Sequence, residues 1–158
     1  MPKYSIDASA ILDAWVRYYP FDLFPSFWNK FKDLTLSGEC NAIELIEHEI
    51  TKKDDGCIKW FTENKLSSFF VSIDQDVQNA VSDMMKNPNY QRLVEDRKGV
   101  FGADPFVIAV AKVRNLTVVT GERPNNNINK PKIPDVCSDM GIDCINILDL
   151  MRRERWVF

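Results

Sequence analysis

Short apolar runs alternate with segments of helical spacing along the whole chain, and this alternation constrains the fold more than any other feature. Residues 3–6, 40–43, 69–73, 116–120 and 143–145 predict strands. Strands that are separated by helices form parallel sheets with right-handed crossovers. The sequence therefore predicts an α/β fold, a three-layer sandwich whose central, mostly parallel, twisted sheet is covered by helices on both faces.

The predicted helices have recognisable ends. Helical spacing indicates helices over residues 8–18, 44–51, 57–64, 74–86, 104–115, 135–140 and 147–153, and a further helix that follows two prolines and ends at Gly38. Asp74 and Asp104 are expected to cap helices, with Pro105 in the first helical position. Residues 52–56 predict a polar break and residues 88–98 a small helix. Residues 99–102 begin and end with glycine and are expected to give the backbone conformational freedom before Asp104.

Length and composition set the outer limits. The 158 residues fit one domain, 1–158, and the composition is 45% hydrophobic and 27% charged, which is typical of a folded protein. No apolar stretch approaches the roughly 20 residues of a membrane span, and the N-terminus has no apolar signal segment. We therefore expect a soluble, cytoplasmic protein with no membrane contact.

Cysteines, histidine and charge narrow the function classes. The four cysteines form no CxxC pair, and His48 is the single histidine, so a zinc site of the usual spacing is excluded and reduced thiols are expected. The net charge of −3 provides no general attraction for nucleic acid, so any such contact requires a local patch. Candidate patches are Lys52 with Lys53, the terminal Arg152, Arg153 and Arg155, and the loop 123–134. In that loop Arg123, Lys130 and Lys132 are the candidates for contact with an RNA backbone.

Four acidic residues flank the predicted strands and helices. Asp7 and Glu122 follow apolar runs, Asp104 opens a helix, and Glu49 lies within one. A parallel sheet could gather them at the edge where ligands bind. Clustered carboxylates repel one another, and a divalent cation removes that conflict. Oxygen-only ligands suit Mg²⁺ or Mn²⁺, and Mg²⁺ keeps several waters, so a water-rich, weak metal site is expected.

Two segments carry a resemblance to a known family. RYYPFDLFPSFW stands at residues 17–28 and IPDVC at residues 133–137. The four acidic positions have matching surroundings: Ala8 and Ser9 follow Asp7, an apolar residue follows Glu49, Asp104 opens an alanine-bearing helix, and Thr120 lies two residues before Glu122. With these features the chain resembles the PIN-domain ribonucleases. It is similar in particular to a small prokaryotic branch that shares the two segments. At the fourth acidic position Glu122 departs from the more frequent Asp or Asn.

The resemblance implies a PIN-like, Rossmann-like sheet and a metal-dependent endoribonuclease that hydrolyses RNA phosphodiester bonds. Asp7, Glu49, Asp104 and Glu122 would be the catalytic acids, with Asp7, Asp104 and Glu49 binding Mg²⁺ or Mn²⁺. Ser9 and Thr120 would support them, and Asp135 is a reserve acid. The resemblance also implies the toxin of a toxin-antitoxin pair, with RNA as substrate, an antitoxin protein as partner and a homodimer.

Purely structural roles could account for the same residues. Helix capping alone accounts for Asp7 or Asp104, Glu49 could be a solvated helix charge like Glu47, and Ser9 and Thr120 could be turn hydroxyls. Six aromatic residues could stack bases, but core packing is the default expectation for all of them: Trp15, Tyr18, Tyr19, Phe21, Trp28 and Trp60.

Two further functions are compatible with the sequence. A catalytically inactive PIN-like module that binds RNA or protein is the alternative function. An aspartyl phosphotransferase of the haloacid dehalogenase type ranks last, because Ser9 stands where its second Asp is needed.

Overall fold

A computed structural model describes residues 1–93 and 102–158. Five strands, β1 (Tyr4–Ile6), β2 (Cys40–Ile43), β3 (Phe70–Val71), β4 (Thr117–Val119) and β5 (Cys144–Ile145), form one sheet in the order β3-β2-β1-β4-β5. Every neighbouring pair is parallel. In register, Tyr4 of β1 pairs with Cys40 of β2 on one side and with Thr117 of β4 on the other. The predicted α/β sandwich with a central parallel sheet is confirmed.

Eight α-helices among the described residues connect and cover the strands. They are α1 (Ala8–Asp13), α2 (Pro25–Leu36), α3 (Leu45–Lys53), α4 (Asp55–Glu63), α5 (Gln75–Met85), α6 (Asp104–Arg114), α7 (Ile133–Met140) and α8 (Ile147–Arg153). Short 3₁₀ turns lie at Ser67–Phe69 and Tyr90–Leu93. The second of these lies within the small helix predicted over 88–98, whose later residues, with Gly99, fall outside the described residues.

Helix ends follow the capping chemistry in several places. Pro25 occupies the first turn of α2, and Gly38 closes that segment with a φ of +78°, a left-handed conformation that favours glycine. The Asp74 carboxylate accepts the Val77 N–H at 2.9 Å and caps α5, as predicted. The predicted break over 52–56 is shorter than expected, because α3 continues to Lys53 and Asp54 immediately caps α4 through the Cys57 N–H.

Two further helices differ from the sequence prediction. The helix predicted over 8–18 is α-helical through Asp13 and then continues as a π-helical turn, Ala14–Tyr18, in which the Tyr19 N–H donates to the Ala14 carbonyl at 2.8 Å. Helix α7 begins at Ile133, two residues before the predicted start, because Pro134 fits the first helical turn and has no N–H to leave unpaired. Both differences lie next to the site described below.

The core lies between the sheet and the helices. Helix α6 contacts β1, β2 and β4 and packs beside α5 and α7, while α2 and α3 contact β2 and α1 contacts α3. Trp28 and Trp60 are buried, and their rings meet edge to face with centroids 5.1 Å apart. Tyr18 and Phe21 are 59% and 43% exposed, so the expectation that all six aromatic residues are core is wrong for these two.

No helix among the described residues combines the length and the apolar character that crossing a membrane requires.

Candidate functional site

The connection order of the sheet creates a crevice between β1 and β4. From β1 the chain proceeds outward through β2 and β3, and it then returns to build β4 and β5 on the other side. Ligands of open parallel sheets bind at such a switch point, beyond the carboxyl ends of the strands. Asp7 directly follows β1, and Thr120, Gly121 and Glu122 follow β4. The sheet therefore places these residues where a ligand is expected.

Asp7 is a buried carboxyl group held by two hydroxyls. The residue is 3% exposed, and its Oδ2 accepts hydrogen bonds from Ser9 Oγ at 2.5 Å and Thr120 Oγ1 at 2.9 Å. Asp7 is the N-cap residue of α1 but makes no side-chain capping hydrogen bond there. Burial raises the pKa of Asp7, and the two hydroxyl donors, helped by the N–H groups of Ala8 and Ser9, act in the opposite direction.

Ser9 and Thr120 join the ends of the two strands. The Gly121 N–H donates to Ser9 Oγ at 2.9 Å, and the Glu122 N–H donates to Thr120 Oγ1 at 3.1 Å. Each hydroxyl therefore accepts a backbone N–H from the segment after β4 while it donates to Asp7. The predicted supporting residues lie together with Asp7.

Asp104 is the first residue of α6 rather than its cap. The Ala103 carbonyl accepts the Phe106 and Val107 N–H groups at 2.9 and 3.0 Å, so Ala103 occupies the cap position that the sequence assigned to Asp104. Burial, followed by the negative charges of Asp7, Glu122 and Glu49, raises the pKa of Asp104 from 3.8 to about 8, and Lys132 acts against them. The four predicted acids thus act on one another.

Glu49 and Glu122 approach this cluster from different elements. Glu49, in α3, accepts the Ala103 N–H through Oε1 at 3.1 Å, which ties α3 to the start of α6. Glu122 accepts the Ile133 N–H through Oε2 at 3.0 Å. Burial raises the pKa of Glu122, with Asp7 and Glu49 adding to the rise, whereas the Ile133 N–H and Lys132 oppose it. The Glu122 carboxylate therefore lies between the acid cluster and the start of α7.

Asp135, the reserve acid, organises the basic loop. Its carboxylate accepts the N–H groups of Asn125 at 2.8 Å, Asn126 at 2.9 Å and Lys132 at 2.8 Å. Burial opposes ionisation, but these three donors together keep the pKa of Asp135 below its usual value. Both oxygens are committed to the loop, which explains the residue without a ligand role.

The predicted basic residues lie on this loop. Lys132 is close enough to the acids to lower the pKa of both Asp104 and Glu122. Arg123 and Lys130 are exposed, and the Lys130 carbonyl accepts from the Asn125 side chain at 2.7 Å. His48, to which the sequence assigned no role, is exposed on α3.

The donor chemistry of the cluster fits a hard divalent cation. Within residues 1–93 and 102–158, no three His, Cys, Asp or Glu side chains are arranged around a common metal position. Mg²⁺ needs fewer, because it typically uses one or two carboxylates and keeps its remaining waters. Asp7 and Asp104 could provide that pair, and a cation would relieve the repulsion that raises the pKa of Asp104.

A cavity of about 450 Å³ adjoins the acid cluster. Thr120, Gly121 and Glu122, which follow β4, line this cavity, and it extends past Tyr18 to the start of α8.

The sequence did not indicate the cavity or the close packing at Gly121. A Cβ atom at Gly121 would lie 3.0 Å from the Ser9 carbonyl oxygen and would collide with the Asp13 carboxylate. The position of Gly121 between the two site residues Thr120 and Glu122 was the sequence feature that could have indicated this close packing.

We expect Thr120→Val to destabilise the protein, because it leaves Asp7 with one donor fewer and the Glu122 N–H without its acceptor. Loss of a hydrogen bond to a buried acid costs about 1.5–3 kcal/mol. The measurement is urea unfolding. Thr117→Val, three residues earlier in β4, is the matched control, since the Thr117 hydroxyl also donates to a carboxylate, that of Asp143 at 3.0 Å, but in an exposed position. Equal losses in the two variants would contradict the expectation.

The chain belongs to the family described as "Domain of unknown function (DUF4411)", whose model matches residues 4–158. No curated protein and no solved structure matches the chain.

Proposed function

We propose that the protein is a divalent-metal-dependent endoribonuclease of the PIN type. One observation carries the proposal: the buried carboxyl group of Asp7, held by the Ser9 and Thr120 hydroxyls, lies at the switch point of a parallel sheet, and burial together with the negative charges of Asp7, Glu122 and Glu49 raises the pKa of Asp104. Such an arrangement is costly without a counter-ion, because one buried and three half-buried carboxylates act on one another with charges of the same sign. The order of the motifs around Asp7, Glu49, Asp104 and Glu122 resembles that of PIN ribonucleases.

The residues have distinct parts in this proposal. Asp7 and Asp104 would hold Mg²⁺ or Mn²⁺, and Glu49 would orient water. When bound, the cation activates water as a nucleophile and stabilises charge on the phosphate. Ser9 and Thr120 fix the Asp7 carboxylate through their hydrogen bonds. Glu122 shapes the edge of the site while it receives the Ile133 N–H.

Basic residues of the loop supply the attraction for RNA. Lys132 lies beside the acids, and Arg123 and Lys130 extend the positive charge along the loop. The molecule has a net charge of −3, so these local charges would guide the phosphate backbone. The resemblance extends the proposal to the toxin of a toxin-antitoxin pair acting in the cytoplasm, with an antitoxin partner and a homodimer.

The second candidate is a catalytically inactive module of the same fold that binds RNA or protein. The observation that favours it is the state of Glu122, whose Oε2 already accepts the Ile133 N–H. An acid engaged in this way contributes to loop structure, and the module would bind RNA without cutting it.

The deciding experiment is cleavage of labelled single-stranded and structured RNA by the purified protein with Mn²⁺, Mg²⁺ or EDTA. We expect cleavage with either cation, none with EDTA, and a loss of at least about a hundredfold in Asp7→Asn. Asp76→Asn, which changes an exposed acid in the first turn of α5, is the control and should cleave normally. Cleavage that survives Asp7→Asn would point to a contaminant. Intact RNA with folded protein would favour the binding module.

A further inference from the structure

The cavity beside the acid cluster has the position and size of a nucleotide subsite. Its volume of about 450 Å³ lies in the range of small-ligand sites, roughly 300–1,000 Å³. Thr120, Gly121 and Glu122 belong both to the cavity wall and to the site at the end of β4. A group seated in the cavity is therefore next to Glu122, whereas Asp7, Glu49 and Asp104 are not among the residues that line the cavity.

A π-helical turn presents an exposed aromatic ring to this cavity. The turn Ala14–Tyr18 holds one residue more than an α-turn. Such turns are rare in proteins as a whole, but those that occur often lie at functional sites. Tyr18, at its end, lines the cavity and is 59% exposed. An exposed ring at the mouth of a cavity is a surface on which a base can stack.

Tyr19 anchors the end of the turn. Its ring stacks on Phe27 with centroids 4.8 Å apart, and its carbonyl accepts the Trp28 indole N–H at 2.7 Å. Tyr18 lies 6.5 Å from Tyr19, centroid to centroid, and this tilted pair is its aromatic contact within the described residues. The backbone that bears Tyr18 is thus fixed while the ring remains accessible, which lowers the entropy cost of stacking.

The charges of the cavity wall select the part of a nucleotide that enters. Three carboxylates, those of Asp13, Glu122 and Asp149, line it together with one guanidinium, that of Arg123. Asp13 and Asp149 also pair with Arg17 and Arg152, at 3.9 and 3.3 Å. The wall thus presents carboxylate acceptors, which suit a neutral base whose edge offers N–H donors. Guanine fits best, because its N1–H and N2–H groups can donate together to one carboxylate. Arg123 is left to pair with the adjoining phosphate.

We propose that this cavity binds one unpaired base of the RNA, preferentially guanine, stacked on Tyr18 with its phosphate at Arg123. The inference rests on the proposed function, since it concerns the RNA of the same site. It requires single-stranded RNA, because a base in a duplex is not free to leave its stack. It assigns to Tyr18 a substrate contact that is independent of the carboxylates.

The test measures RNA binding separately from cleavage. Anisotropy of labelled single-stranded oligonucleotides is recorded in EDTA, and single-turnover cleavage is followed against protein concentration in Mn²⁺. We expect Tyr18→Ala to weaken binding about tenfold and raise the half-saturating concentration, with Tyr18→Phe close to wild type. Phe158→Ala, which removes another exposed ring, is the control. An abasic nucleotide at one position should weaken the wild type and leave Tyr18→Ala unchanged.

The outcomes separate the inference from the proposed function. RNA that is bound but not cut, with binding lost in Tyr18→Ala, supports the subsite and rejects the nuclease. RNA that is cut and bound equally by Tyr18→Ala and the wild type overturns the subsite and retains the nuclease. Neither binding nor cleavage by the folded wild type overturns both. Equal binding of uracil and guanine at the sensitive position rejects the base preference.

Discussion

Asp104→Asn should lose RNA cleavage at least about a hundredfold and yet make the metal-free protein more stable at pH 8. The cleavage loss follows from removal of a proposed cation ligand. The gain in stability follows from the pKa of Asp104, which rises from 3.8 to about 8 because partial burial and the negative charges of Asp7, Glu122 and Glu49 disfavour its ionised form. A conservative substitution would thus separate activity from stability.

The sign of the stability change follows from proton binding. The folded protein keeps the Asp104 proton up to about pH 8, whereas the unfolded chain releases it near 3.8. Between these values the unfolded chain binds fewer protons, so wild-type stability falls as the pH rises. Asparagine has no charge to bury at any pH. Because a tenfold difference in proton affinity is worth about 1.4 kcal/mol, and solvent weakens the effect, we expect a gain of about 1–2 kcal/mol at pH 8.

Urea unfolding of both proteins in EDTA between pH 4 and pH 8 measures this difference, which should vanish at the acid end. Added Mn²⁺ should stabilise the wild type more than the variant. Asp143→Asn is the control of opposite sign, since the hydrogen bond from Arg153 lowers the pKa of Asp143 and its removal should destabilise. A pH-independent difference between Asp104→Asn and the wild type would contradict the electrostatic origin of the effect.

Gly121→Ala is expected to damage the site through packing. The new Cβ would lie 3.0 Å from the Ser9 carbonyl oxygen and 3.2 Å from its carbon, and it would displace the Asp13 carboxylate. A shift of Gly121 pulls its N–H away from Ser9 Oγ, and Ser9 also holds Asp7. Overpacking of this kind costs about 1–3 kcal/mol, and a shift in Asp7 should reduce cleavage about tenfold or more.

Gly102→Ala provides the matched control, because a Cβ at Gly102 meets no atom of the described residues within 4 Å although the residue lies two positions before Asp104. Thermal unfolding and cleavage rates of the two variants should differ clearly. Similar behaviour of the two would show that the segment after β4 yields without disturbing Asp7.

The parts of the fold that depend on short-range pattern were predictable. Strand β2 (Cys40–Ile43) and helix α8 (Ile147–Arg153) have the predicted bounds, because apolar runs and caps are properties of adjacent residues. The π-turn at Ala14–Tyr18 was not, since a single turn whose hydrogen bonds are shifted by one residue is too short to leave its own apolar period in the sequence. Tertiary packing of Tyr19 on Phe27 accompanies the π form.

The candidate site shows the same division. The order of Asp7, Glu49, Asp104 and Glu122 and the expected sheet edge sufficed to group the acids. The partners of each acid were not visible, because Glu122 meets Ile133 and Glu49 meets Ala103 through contacts between elements distant in sequence. Asp135 shows why the role of an acid could not be predicted from its motif, since its carboxylate accepts N–H groups of the loop instead of being available to a ligand.

The loop between β4 and α7 is fastened at both ends by acids. Glu122 takes the Ile133 N–H, and Asp135 takes those of Asn125, Asn126 and Lys132. Closing a loop lowers its conformational entropy during folding, so that loss has already occurred when a ligand arrives. Association with Arg123, Lys130 and Lys132 then requires little further ordering of the main chain. The hydrogen bonds of these two acids thus hold the main chain of a polar, proline-marked segment in the conformation of a pre-formed surface.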